Sequence, residues 1–205
     1  MKIDCSKQES YNKMEGYLSI IIVLWVLLLS PMSAYTQNVI TPRELEDSIE
    51  VKKYHGSYLV SGKDYESLIH FHHGLKDGQW VTVYFNRDMK VETYKKGRKD
   101  GLWIWRSRYG GFCGKYKNDR KVGLWSEGYD EESIGYYKRG LKVGKWKYSD
   151  YGSGLVTIEE YKKGKKNGIW KYYSNDTLYM KETYKNDSLI MKEDLLPAGI
   201  NPIIR

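Results

Sequence analysis

Five tryptophans mark out the middle of the chain, and each opens a short run of apolar and polar residues bounded by turn formers. Trp80 opens the run WVTVYF and Trp170 the run WKYY. The clusters Asn86-Arg-Asp88, Ser149-Asp-Tyr-Gly152 and Ser174-Asn-Asp176 close three of these runs. A second run then leads on, as in Lys90-Val-Glu-Thr-Tyr94 and Val156-Thr-Ile-Glu-Glu-Tyr161. β-Branched and aromatic residues bounded by Gly, Asn, Asp and Ser predict strands joined as hairpins. Side chains alternate across a strand, which puts Trp170 with Tyr172, Trp103 with Trp105, Trp146 with Tyr148, and Trp80 with Thr82 and Tyr84 on one face. Glu92 with Tyr94 and Glu182 with Tyr184 share a face of the second strand by the same rule.

The segments are copies of one another. Gly74-Leu-Lys-Asp-Gly78-Gln-Trp80 returns at Gly97–Trp103, Gly140–Trp146 and Gly164–Trp170, and at Asp119–Trp125 with Asp for the first glycine. The tryptophans 80, 103, 125, 146 and 170 are 23, 22, 21 and 24 residues apart. An aromatic residue stands three positions before each first glycine or its substitute: Phe71, Tyr94, Tyr116, Tyr137 and Tyr161. Tyr184 begins a truncated last copy. Two strands of about five or six residues and two short turns fill a repeat of about 22 residues. The expected fold is therefore all-β: an elongated single antiparallel sheet of tandem β-hairpin repeats over residues 54–192, stabilised by stacking between neighbours. The glycines are expected to supply positive φ at tight turns. The lysines are expected to keep the sheet soluble and its edges unpaired. Trp80, Trp103, Trp125, Trp146 and Trp170, with Tyr94, Tyr116, Tyr137, Tyr161 and Tyr184, are expected to stack as ladders. They are structural residues first, and binding residues if the ladders line grooves.

The ends read differently. Residues 54–60 and 65–71, joined by Ser61-Gly-Lys-Asp64, form a divergent first hairpin. Thr41-Pro-Arg-Glu44 is a capping box with Pro at the first helical position, which predicts a short helix over 42–48 within a cap spanning 38–53. Residues 193–205 form a tail that carries Pro197 and Pro202 and has no period. Residues 18–29 (LSIIIVLWVLLL) are an unbroken apolar run. As a helix they span about 18 Å, short of the roughly 30 Å bilayer core, a length that suits the apolar region of a signal peptide. Lys2, Lys7 and Lys13 precede the run and Ser33-Ala34 come after it, so residues 1–37 are expected to direct export to the periplasm or cell envelope. The alternative is an inner-membrane anchor at 18–29. Removal of Cys5 with this segment leaves Cys113 alone, which excludes an intramolecular disulfide in the mature chain.

A formal charge of +8 favours anionic partners, but it speaks to association and not to fold. Interleaved lysines and aromatics suit single-stranded nucleic acid; the export signal and the spread of charge over every turn weigh against that partner. No Gly-x-Ser-x-Gly elbow, phosphate loop or framed Cys–His pair is present, and no enzyme activity is expected. Asp130-Glu-Glu132 reads as a solvated turn, and Glu92, Glu159 and Glu182 recur with the repeat as structural residues do. His70-Phe-His72-His73 is the one metal-like cluster. His70 and His72 share a strand face, but there is no nearby Cys, and a closed zinc site takes four ligands. No metal and no cofactor are expected.

The pattern Glu-x-Tyr-x-x-Gly-x-x-x-Gly-x-Trp, seen at Glu92-Thr-Tyr-Lys-Lys-Gly-Arg-Lys-Asp-Gly-Leu-Trp103, resembles the MORN-repeat family over residues 71–192. The tryptophan comes after the turn here, as in the bacterial MORN-repeat variant branch, whose members often carry an antitoxin label. The resemblance implies hairpin arrays, no catalysis, and roles in protein contacts or membrane apposition. Trp170-Lys-Tyr-Tyr173 also resembles the hairpins of choline- and glucan-binding cell-wall modules, where aromatics cage cationic or sugar ligands. The resulting expectation is an exported non-catalytic repeat scaffold that contacts a protein partner in the bacterial cell envelope. The alternative is a module for cell-wall glycan or anionic lipid. A scaffold predicts tryptophans packed within the sheet. A glycan binder predicts exposed aromatics in grooves, and a membrane binder predicts salt-sensitive attachment through the lysine turns.

Overall fold

The computed structural model describes residues 39–40, 54–128, 131–150 and 152–196. All regular structure among these residues is β, and none of it is a helix long and apolar enough to cross a membrane. The apolar run at 18–29, the helix expected over 42–48 and the tail beyond 196 lie outside the described residues. The chain divides into two compact units, the first ending at Arg98 and the second starting at Lys99.

In the first unit, β2 (Gly56–Ser61), β3 (Tyr65–His72), β5 (Gly78–Tyr84) and β6 (Met89–Lys95) pair in that order, each antiparallel to the next. The two-residue β4 (Leu75–Lys76) extends the pairing on β3, and β1 (Val39–Ile40) lies parallel to β2. The second unit holds β7 (Arg98–Ser107) from its second residue on, then β8 (Gly110–Lys117), β9 (Arg120–Gly128), β10 (Glu131–Lys138), β11 (Leu141–Asp150) and β12 (Leu155–Lys162). It ends with β13 (Lys165–Lys166), β14 (Gly168–Ser174), β15 (Thr177–Lys185) and β16 (Ser188–Asp194). Consecutive strands are again antiparallel, with β13 a short extension on β12. The last copy is truncated as expected: Lys185 pairs with Ser188 across its turn, and one strand, β16, comes after it, without a tryptophan.

The turns explain the constant spacing within the repeat. In the glycine turns, two consecutive residues have left-handed φ: Lys96 (51°) and Gly97 (78°), Arg139 (55°) and Gly140 (83°), Lys163 (54°) and Gly164 (81°). Two left-handed residues make a type I′ turn, whose twist matches that of the flanking strands. Glycine was expected to supply the positive φ, and it supplies half of it. His, Lys, Arg or Asn fills the first position, at a steric cost of roughly 1–2 kcal/mol per residue. Where Asp replaces glycine, at Asp119 (63°) and Asp187 (71°), it gains something in return. The Asp119 amide donates to the Lys99 carbonyl (2.9 Å), and its Oδ1 accepts from the Lys99 amide (2.8 Å). Asp187 makes the same reciprocal pair with Lys166 (3.0 and 2.8 Å). The glycine turns keep the first bond alone: Gly97 to Lys76, Gly140 to Lys121 and Gly164 to Lys142, at 2.7–2.9 Å. Each of these five turns is thus fastened to the backbone of the lysine one repeat earlier.

The second glycine of the repeat has another task. Cys113 pairs with Ser126, but two residues on, Lys115 pairs with Val122, so Gly123-Leu-Trp125 stands opposite Gly114 alone. The same slip places Gly144-Lys-Trp146 opposite Gly135, between Ile134–Lys147 and Tyr136–Val143. Positive φ at Gly123 (72°) and Gly144 (67°) lets the strand bulge there. The bulge raises each tryptophan over the neighbouring strand.

Candidate functional site

The ten aromatic residues singled out from the sequence come together in files in which tryptophan and tyrosine alternate. In the first unit Phe71, Trp80 and Tyr94 succeed one another at ring separations of 5.2 and 5.4 Å. In the second, Trp103, Tyr116, Trp125, Tyr137 and Trp146 are spaced 5.0, 5.1, 6.0 and 4.9 Å, mostly edge to face. Tyr161, Trp170 and Tyr184 form a further run at 5.6 and 5.0 Å, and Lys142 lies over both Trp146 and Tyr161 between the two runs. All five tryptophans are buried, Trp125 to 1% and Trp146 to 0% exposure. The indole N–H of Trp80, Trp125, Trp146 and Trp170 donates to the carbonyl of His70, Lys115, Tyr136 and Glu160, at 2.8–3.3 Å.

The lysine in the middle of each repeat's glycine motif departs from the expectation of a solvated turn charge. Lys99, Lys121, Lys142 and Lys166 are half-buried, and Lys76 is exposed. Each lays its ammonium over the tryptophan four residues on, 4.2–4.4 Å from the ring centre. Each also lies 4.7–5.3 Å from the next tyrosine of the file. The reason is parity: lysine, second glycine and tryptophan are two residues apart and share a face. A cation held against an aromatic face contributes about 0.5–2 kcal/mol, more as water is excluded. The cation seat of each aromatic pair is therefore filled by the chain itself.

Lys142 is the most enclosed of the five. It lies against Trp146, Tyr148 and Tyr161 and donates to the Tyr148 hydroxyl at 2.5 Å. Burial lowers its pKa and Lys121 pushes the same way, while Glu159 and Glu127 oppose them. The tyrosines are shifted upward. Burial, then the charge of Glu127, pushes Tyr137 up to about 12. Burial also holds Tyr94, Tyr148, Tyr161 and Tyr172 well above the usual phenol range, helped by Glu92, Glu159 or Glu182. Tyr161 donates to Glu159 at 2.6 Å, and Tyr172 and Tyr184 both donate to Glu182, at 2.7 and 2.8 Å. Those hydrogen bonds hold the Glu182 carboxyl below its ordinary value. The recurrent glutamates thus seat tyrosine hydroxyls. Among the described residues, nothing pairs them as an acid and a base around a reacting group.

The opposite face carries exposed apolar groups. Leu141 (49% exposed) and Val143 line a shallow hollow rimmed by Lys138, Arg139, Lys162 and Lys163. At the start of the array the histidines regroup. His70 shares a hydrogen bond with the Ser57 hydroxyl (3.1 Å). His72 and His73 meet His55 instead, a residue the sequence pattern did not single out because only the β2–β3 register brings it near. Cys113 is buried and disulfide-bonded in the full chain, whereas the expectation that it stands alone concerned a chain from which Cys5 has been removed. Compared with known proteins, the chain matches no family model and no curated sequence.

Proposed function

We propose that this chain is an exported, non-catalytic β-repeat scaffold of the bacterial cell envelope, akin to the MORN-repeat variants, whose work is to hold a protein partner. One observation carries the reading: the aromatic file is closed. Its tryptophans are buried, four of the five indole N–H groups donate to carbonyls of the same chain, and each indole faces a lysine ammonium from its own repeat. A choline or sugar ligand would have to displace a tethered lysine from each seat. Export rests on the apolar run at 18–29. The exposed side that remains for a partner includes the Leu141 hollow with its basic rim, which suits an acidic protein surface with an apolar residue at its centre.

The test is a three-way binding comparison at physiological salt, with the full chain offered purified cell wall, anionic vesicles and detergent-solubilised envelope proteins. Saturable capture of one envelope protein, weakened by Leu141→Glu and not by choline, is the expected result. Retention on cell wall that choline or glucan fragments reverse, or on vesicles that salt reverses, overturns the reading.

A further inference from the structure

We infer that His55, His72 and His73 form a binding site for a divalent transition-metal ion of the zinc, nickel or copper class. The three rings come from two places: His55 just ahead of β2, and His72–His73 at the β3–β4 turn. Their centroids lie 5.1, 4.9 and 4.4 Å apart, and one ligand nitrogen from each lies within 4.8 Å of the other two. An ion bound tetrahedrally at about 2.1 Å holds neighbouring nitrogens about 3.4 Å apart. Closing the remaining distance takes small side-chain rotations, and all three residues are exposed and have room for them.

The backbone that carries the rings is already in place. The Gly74 amide donates to the Tyr54 carbonyl at 2.8 Å, which ties the turn to the residue before His55. His73 holds φ at 48° as the first residue of its type I′ turn, so its direction is set by the turn. The contact to be given up is slight: the His73 amide donates to His55 Nδ1 at 3.4 Å, a long hydrogen bond between exposed groups. Imidazole nitrogens suit zinc, copper and nickel, and three such ligands with a fourth position open make a complete site for a borderline ion. The ligands are neutral, so the site selects by donor chemistry and not by net charge. A bound ion would also join the segment before β2 to the β3–β4 turn and stabilise that end of the first unit by mass action. The inference stands apart from the scaffold reading and survives its failure.

The experiment is calorimetric titration of the full chain with Zn²⁺ in a non-chelating buffer, repeated with Co²⁺ for its visible absorption. The site predicts one ion per chain, a tetrahedral Co²⁺ spectrum, and a melting temperature that rises with Zn²⁺. His55→Ala and His72→Ala should each weaken binding by at least about tenfold, with an unchanged melting temperature in the absence of metal. His70→Ala should bind as the parent does. Absence of binding heat and of a Co²⁺ spectrum overturns the site. So does full affinity in His55→Ala, which would place the ion elsewhere.

Discussion

The middle and the far end of the second unit use the same repeat and reach different degrees of burial. At Trp125 and Trp146 the strand alongside offers glycine, Gly114 and Gly135, where other repeats carry Glu92, Glu159 and Glu182. A Cβ on Gly114 would lie 2.1 Å from the Trp125 ring, and one on Gly135 would lie 2.2 Å from the Trp146 ring. The indoles occupy that space, and these two tryptophans are the most buried of the five. At the far end, β16 has no tryptophan of its own, and Leu189, Ile190 and Met191 are half exposed or more. The lesson is that the tryptophan alone does not make a repeat a core. The residue beneath the ring decides how deeply it can sit.

The largest effect expected from breaking this contrast is at its centre. Trp146→Ala should cost about 3–5 kcal/mol in chemical denaturation, the usual range for emptying a buried aromatic site. Gly135→Glu brings in the residue that other repeats carry at this place, yet it should cost about 2–3 kcal/mol because the indole must leave its seat. The reverse exchange, Glu159→Gly, should cost only about 1 kcal/mol, the net worth of the hydrogen bond from Tyr161. If the two exchanges prove equally mild, the glycines are not what seats the rings.

Alkaline unfolding sharpens the same point. Tyrosines held protonated in the fold keep protons that the unfolded chain loses above about pH 10. Stability should therefore be whole below about pH 10 and fall as pH rises, through about 12 for Tyr137 and beyond for Tyr94, Tyr148, Tyr161 and Tyr172. Lys142 works in the opposite direction, since its lowered pKa favours the fold as pH climbs toward the unfolded lysine value, but it is one group against several. A denaturation midpoint that stays flat from about pH 9 to about pH 12 contradicts the burial of these hydroxyls. Removing a single ring cation should matter less: Lys142→Met should cost about 1 kcal/mol. The smallest effect belongs to the edge, where Ile190→Lys should change stability by no more than about 0.5 kcal/mol.

Much of this fold was legible in the residues themselves. The Trp spacing marks the repeat, and the turn formers mark the hairpins. The first hairpin, read from Ser61-Gly-Lys-Asp64, is found as β2 and β3. The lysine seats were legible too, since Lys142, Gly144 and Trp146 differ by two, but charge on a turn reads as solvated charge. Gly114 and Gly135 stand in the sequence at a glutamate's place, and only the bulge opposite them explains why. His55 was out of reach: it lies 17 residues before His72, and no local pattern joins them.

The most direct test of the closed aromatic file is indole oxidation of the native full chain, read out tryptophan by tryptophan by peptide mass spectrometry. The account predicts that Trp80, Trp103, Trp125, Trp146 and Trp170 resist modification until denaturant unfolds the chain, with Trp125 and Trp146 the last to react. Rapid oxidation of Trp125 and Trp146 in the native state would contradict it, and would return the aromatics to the role of a ligand-binding surface.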